Sequence, residues 1–263
     1  MSNYATIEEL LLNIGYDLSN TDLSNVNLIR SDLRNVILPK DKKLFQKIKN
    51  KSLFGVKLPE GDYSEYDFTD VNLTATVFTI NSILPKDKYL FKKIFRKELF
   101  NTQLPEINLN DYDFEEVSIA GTIFSRNSVF SDDKDFFQKI HNKNIYRTVL
   151  PIHDYSYYDF NDVCVVATDF QEQSQFKNDY NIFQEVRDKS FIGTILPKAL
   201  IDKIQYYDLS DVDIDLNLYK LNFDTLLLLK HYQPQLVKNI KSSCIVKRRG
   251  SKEFIIKNKK SNY

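Results

Sequence analysis

The sequence has no tryptophan, six glycines, two cysteines, three histidines and one methionine in 263 residues. Each scarcity excludes something. No Gly-rich phosphate loop and no G-x-S-x-G nucleophile elbow is present. Cys164 and Cys244 lie far apart and fit a reducing compartment better than a disulfide framework. His141, His153 and His231 have no metal-ligand spacing with a cysteine or with one another. The longest apolar run, Leu226–Leu229, is too short to span a bilayer. The start MSNYATIEELLLNIGYD has no basic region and no long apolar stretch, so it does not read as a signal peptide. A soluble cytoplasmic protein is expected, with secretion lacking a cleaved signal as the alternative.

What is present is a large apolar fraction, 42%, and many aromatics, enough for a sizeable core in one large domain or two small ones. Charge sums to zero, with 36 basic and 36 acidic residues. The zero hides a division. Nine of the basic residues and one of the acidic ones, Glu253, lie from Val237 onward, which leaves 27 basic against 35 acidic in residues 1–236. Such asymmetry bears on partners more than on fold.

The chain repeats itself. YDF occurs at Tyr66, Tyr112 and Tyr158, and YDL follows at Tyr207. Leu-Pro recurs at Leu58, Leu104, Leu150 and Leu196. LFQKI at Leu44 returns as LFKKI at Leu90, FFQKI at Phe136 and IFQEV at Ile182. These markers share one 46-residue period, except that YDL at Tyr207 follows after 49. Inside it runs a period of five, as in Leu53, Leu58, Tyr63, Phe68, Leu73, Phe78 and Ile83. Five is neither the helical nor the strand period and suits a coil that turns a corner at every pentad.

TDLSNVNLIRSDLRNVIL, with the later pentads VNLTA and YDFTD, resembles the pentapeptide-repeat family over roughly residues 16–219. The resemblance implies a mainly β fold, a right-handed quadrilateral β-helix. A central Leu or Phe would point inward, and an Asp or Asn beside it outward. Tyr66, Tyr112, Tyr158 and Tyr207 occupy a position that is small in the family, so one corner is expected to widen at each repeat. Two coils of four pentads account for all but six positions of the repeat, and the six extra residues mark a helical insertion. LPKDKKLFQKIKNK places Leu44, Phe45 and Ile48 on one side and lysines opposite. Helices are therefore expected near 40–50, 86–97, 132–142 and 178–188, as a row of outgrowths on one flank. About nine coils at ~4.8 Å each make a rod roughly 43 Å long. The ends need caps. Residues 1–15 read as an N-terminal helical cap, with Thr6 and Glu9 as a capping box. Residues 16–220 read as the solenoid. Residues 221–263 read as a helix followed by a basic hairpin or tail.

Four surfaces are candidates for binding. Asp62, Asp67, Asp113, Asp159 and Asp208 form a candidate acidic face, either a mimic of nucleic-acid phosphates or Asx side chains bonded to their own turns. The resemblance adds that some family members act on DNA gyrase and topoisomerase in that way. Lys42, Lys43, Lys47, Lys88, Lys92, Lys93 and Arg96 form a basic flank for nucleic acid or an acidic partner, or else a solvated helix face. Lys247, Arg248, Arg249 and Lys252 form a basic tail suited to nucleic acid, an anionic membrane or an acidic groove, or a hairpin that caps the rod. Leu226, Leu227 and Leu229 are a candidate homodimer contact, because quinolone-protecting members of the family dimerise through a C-terminal helix; otherwise they cover the last coil. No carboxylate pair stands out for acid–base work. The reading is a non-catalytic scaffold for a protein partner, with no cofactor. The alternatives are a DNA-mimicking inhibitor or protector of a topoisomerase, a bacterial effector, and a nucleic-acid binder.

Overall fold

Every fifth side chain turns inward until the end of each series, where Ile83 and Val129 are exposed and Leu84 and Phe130 are buried instead. Leu53, Leu58, Tyr63, Phe68, Leu73 and Phe78 are all buried, and the same holds for Leu99, Leu104, Leu109, Phe114, Ile119 and Phe124. The computed structural model describes residues 6–176, 181–216, 219, 221, 223–238, 245–247 and 253–255. Within them the chain winds so that a residue pairs in parallel with one a full turn later. Ser52 pairs with Asn72, Lys57 with Val77, Glu98 with Ser118 and Asn144 with Cys164, each four pentads on. Val77 then pairs with Gln103, Ile123 with Val149 and Asp169 with Ile195, each separated by six positions more. Short and long coils therefore alternate, and one of each makes the 46-residue repeat.

The longer coil holds a helix of one turn. These are α2 (Leu44–Lys47), α3 (Leu90–Lys93), α4 (Phe136–Lys139) and α5 (Ile182–Glu185). They are shorter than the dozen residues the spacing suggested. The next residue is extended in each case, and soon after comes a left-handed residue: Asn50, Arg96, Asn142 or Asp188. That conformation cannot continue a helix. Nor are the helices outgrowths. Leu44, Phe45 and Ile48 are buried, and the neighbouring coils clamp the helix on both sides. Asn25, Asp70, Glu116 and Asp162 donate backbone N–H groups to the last helical carbonyl, while Asp67, Asp113 and Asp159 donate to Lys42, Lys88 and Lys134. The helix is a wall of the coil.

The mainly β expectation finds little support in regular strands. The coil is joined chiefly by single parallel bridges, because each wall has few extended residues before the next corner. Regular strands are short: β1 (Ser190–Phe191) pairs in parallel with β2 (Asp213–Ile214), and β3 (Ile245–Lys247) pairs antiparallel with β4 (Glu253–Ile255). One wall is a continuous ladder through Asp32, Lys57, Val77, Gln103, Ile123, Val149, Asp169 and Ile195. Just inside it lies a column of buried threonines, Thr76, Thr102, Thr122, Thr148, Thr168 and Thr194. Each hydroxyl donates to a carbonyl of the coil before, from Leu53 to Val165, at 2.6–3.0 Å. Aromatic rings fill the centre, with Phe137 stacked on Phe160 at 4.7 Å. Such pairs add to the stabilisation from burial alone.

At the N-terminal end lies α1 (Ile7–Ile14), whose first turn is capped by the Thr6 hydroxyl accepting from the Glu9 N–H. Toward the other end come α6 (Lys198–Ile201), then α7 (Phe223–Tyr232) followed by α8 (Pro234–Lys238). Between the last two the Gln233 amide accepts from the Leu209 N–H and donates to the Tyr207 carbonyl, so it occupies the edge of the last coil. No helix among the described residues is long and apolar enough to cross a membrane.

Candidate functional site: a neutralised wall and the slots beside it

The aspartates proposed as an acidic face all have work within their own turns. Asp62 accepts from the Ser64 N–H, Asp67 from Thr69, Asp113 from Glu115, Asp159 from Asn161 and Asp208 from Ser210, at 2.8–3.0 Å. Asp17, Asp22, Asn27, Asp32, Asn72, Asn108 and Asp154 do the same two residues on. These are Asx turns, the structural alternative to mimicry. The Ser64 and Ser210 turns hold Asp62 and Asp208 below the usual carboxylate range. Nor do the five share a face. Asp67, Asp113, Asp159 and Asp208 lie in the helix-bearing wall, while Asp62 lies in the next one, where it pairs with Ile83.

The basic flank lies in that same helix-bearing wall, because an aspartate-bearing coil follows each helix. Lys92 reaches both Asp113 and Glu115 at 3.0 Å, and these carboxylates hold its ammonium above the usual lysine range. Lys47 pairs with Asp41 and Lys93 with Asp87, each at 2.5 Å, and Lys42 pairs with Glu65. Lys43, Lys88 and Arg96 make no ion pair among the described residues; the Arg96 guanidinium rests 4.9 Å from the centre of the Phe95 ring. Asp62 apart, two surfaces that look separate in the sequence thus share one wall, and four of the seven flank cations are paired with carboxylates.

The C-terminal candidates divide. Of the candidate dimer contact, Leu226 and Leu229 are buried and Leu227 is exposed. Lys247 ends β3, and Arg248, Arg249 and Lys252 lie outside the described residues.

Beside the charged wall the coils part. From the Leu33 N–H on the Lys57 carbonyl to the Asp67 N–H on the Lys42 carbonyl, no backbone hydrogen bond joins residues 34–41 to residues 58–66. Tyr66 stands in the breach, its hydroxyl donating to the Pro39 carbonyl at 2.8 Å. The result is a slot of about 590 Å³, lined by Ile37, Leu38, Pro59, Tyr63 and Tyr66, with Lys40, Glu60 and Asp62 among its polar residues. One repeat later a smaller slot of about 390 Å³ lies among Ile83, Leu84, Glu106 and Tyr112, closed on one side by the Glu106 N–H on the Ile80 carbonyl. Burial, then Asp111, pushes the Tyr112 phenol up to about 12. In the third repeat Phe130 packs against His153, whose Nε2 lies 2.9 Å from the Tyr158 hydroxyl.

Two features escaped sequence reasoning. One is the threonine column, whose alternation of short and long spacings, visible in Thr76, Thr102 and Thr122, was legible. The other is the third helical residue. Gln46 and Gln138 each donate to two carbonyls of the following coil, Gln184 donates to the Asp208 carbonyl, and Lys92 takes the same place with its ion pairs. No group of three metal-ligating residues occurs among the described residues. The family model for pentapeptide repeats (8 copies) matches residues 15–39. No curated protein and no solved structure matches the chain.

Proposed function

The chain carries pentapeptide repeats, and from that premise we propose that it is a non-catalytic scaffold that binds a protein partner. We read residues 16–220 as a right-handed quadrilateral β-helix. It lies between a helical cap at 1–15 and a C-terminal helix with a basic hairpin at 221–263, and works in the cytoplasm. The supporting observation is the interleaving of the basic flank with the aspartate coils, of which Lys92 between Asp113 and Glu115 is the clearest case. A surface built to imitate or bind DNA keeps its charges of one sign uncompensated, because release of counterions drives such binding. Here four of the seven flank cations, Lys42, Lys47, Lys92 and Lys93, are paired with carboxylates, and the aspartates hold turns. What remains for recognition is shape, apolar surface and the local charge of the slots.

Affinity capture of the tagged chain from its native lysate, with and without nuclease, tests this. A protein partner that survives nuclease is expected. Capture that disappears with nuclease would move the function to Lys42, Lys43, Lys88 and Arg96 with the basic tail. Retention of a topoisomerase subunit, lost on charge reversal at Asp62, Asp67, Asp113 and Asp159, would establish mimicry instead. Capture only from host-cell extract would favour an effector, and reproducible turnover would refute the non-catalytic reading.

A further inference from the structure

We propose that the slot between residues 34–41 and 58–66 accepts an extended segment of a partner protein, paired as a strand between the two coils. The inference rests on the scaffold reading and names its site. In the bridged copies of this wall, the Tyr63 N–H donates to the Ile83 carbonyl and the Ile83 N–H to the Gly61 carbonyl. The same pattern one coil earlier would join the Leu38 N–H to the Asp62 carbonyl and the Asp62 N–H to the Val36 carbonyl. Neither bond is made, and none of these four groups has a hydrogen-bond partner among the described residues. Two parallel edges thus face each other across an apolar floor of Leu38, Pro59 and Tyr63. Unpaired strand edges are templates for a further strand.

Charge indicates the segment's chemistry. The lower rim offers Glu60 and Asp62 against the single Lys40 of the upper rim, while Lys42 at the far end is already paired with Glu65, so the slot is net acidic. The upper rim presents Ile37, 58% exposed. Successive side chains of a strand point to opposite faces, so the fitting segment alternates apolar residues, set on the floor, with basic ones facing the carboxylate rim. The second slot, with Ile83 51% exposed and Glu106 and Asp111 on its rim, repeats this arrangement in a narrower form.

The test uses the full chain and a labelled eight-residue peptide of alternating valine and lysine, against the same peptide N-methylated at its valines. N-methylation removes amide donors and leaves every charge. Expected are at least tenfold weaker binding of the methylated peptide in fluorescence anisotropy, and slowed amide exchange at Leu38 and Asp62 with the unmodified one. Asp62→Asn, which keeps a turn acceptor, should weaken binding several-fold, and Ile37→Lys should abolish it. Equal binding of the two peptides, or unchanged exchange at Leu38 and Asp62, would overturn the proposal. A concentration-dependent dimer of the chain alone, dissolved by Ile37→Lys, would assign the slot to a second copy and overturn it as well. A captured protein that Ile37→Lys still retains would sink the slot and leave the scaffold standing; absence of any captured protein would count against the scaffold itself.

Discussion

Gly121 turns a corner with φ +71°, and a Cβ added there would sit 2.5 Å from the Asn101 side chain and 3.1 Å from the Asn101 backbone nitrogen. Gly121→Ala should therefore lower the melting temperature. The left-handed conformation alone costs about 1–2 kcal/mol, and the contact adds to it; thermal unfolding monitored by circular dichroism measures the sum. Ala75 and Ala167 occupy left-handed corners too, so the fold tolerates a Cβ where the neighbouring coil leaves room. His153 supplies a pH signature. Burial, partly offset by Asp154 and Asp132, lowers its pKa below the ordinary 6.5. The unfolded chain thus binds this proton more readily than the folded one. The stability His153 contributes is present above pH 6.5 and is lost as pH falls through its depressed value. His153→Gln should flatten the slope of stability between about pH 6.5 and 5, where the aspartates are still ionised in both states.

The one-turn helices are held less by their own hydrogen bonds than by what they insert and what they reach. Two buried side chains anchor each, and the third residue ties it to the next coil. Gln46→Ala and Gln138→Ala should each cost about 0.5–1.5 kcal/mol in urea unfolding. Lys92→Gln should be tolerated, since glutamine is already used at the equivalent place in three repeats. The existence and position of these elements were legible, because Leu44, Phe45 and Ile48 recur with every repeat. Their length was not. The stop is a left-handed Asn, Arg or Asp, and only glycine would have announced it. The slot was half legible. Tyr66 in a normally small position foretold a widened corner, but the missing bridge depends on where its hydroxyl goes, to Pro39 in the coil before. The merging of acidic and basic surfaces was hidden because Lys92 and Asp113 are distant in sequence, and only the alternation of short and long coils brings them together.

For the whole molecule the 46-residue unit is the quantum of construction. Stacked repeats contact only their neighbours, so stability is nearly a sum over units and interfaces. Deleting residues 98–143 joins Lys97 to Asn144, which matches the existing junction of Lys51 and Ser52. The shortened chain should fold, with its longest dimension in small-angle scattering reduced by ~9.6 Å, two strand spacings. A molten or aggregated product would mean that the units differ more than their sequences suggest.

The threonine-backed ladder runs unbroken from Asp32 to Ile195, while the wall next to it is parted once in each of the first three repeats. Mechanically, this is a beam with a stitched seam and a slitted side. Its neutral axis lies toward the seam, so it flexes most easily by opening and closing the slits. A load that wedges one slit bends the beam and changes the gape of the next, and two occupants along the rod would then sense each other through its curvature.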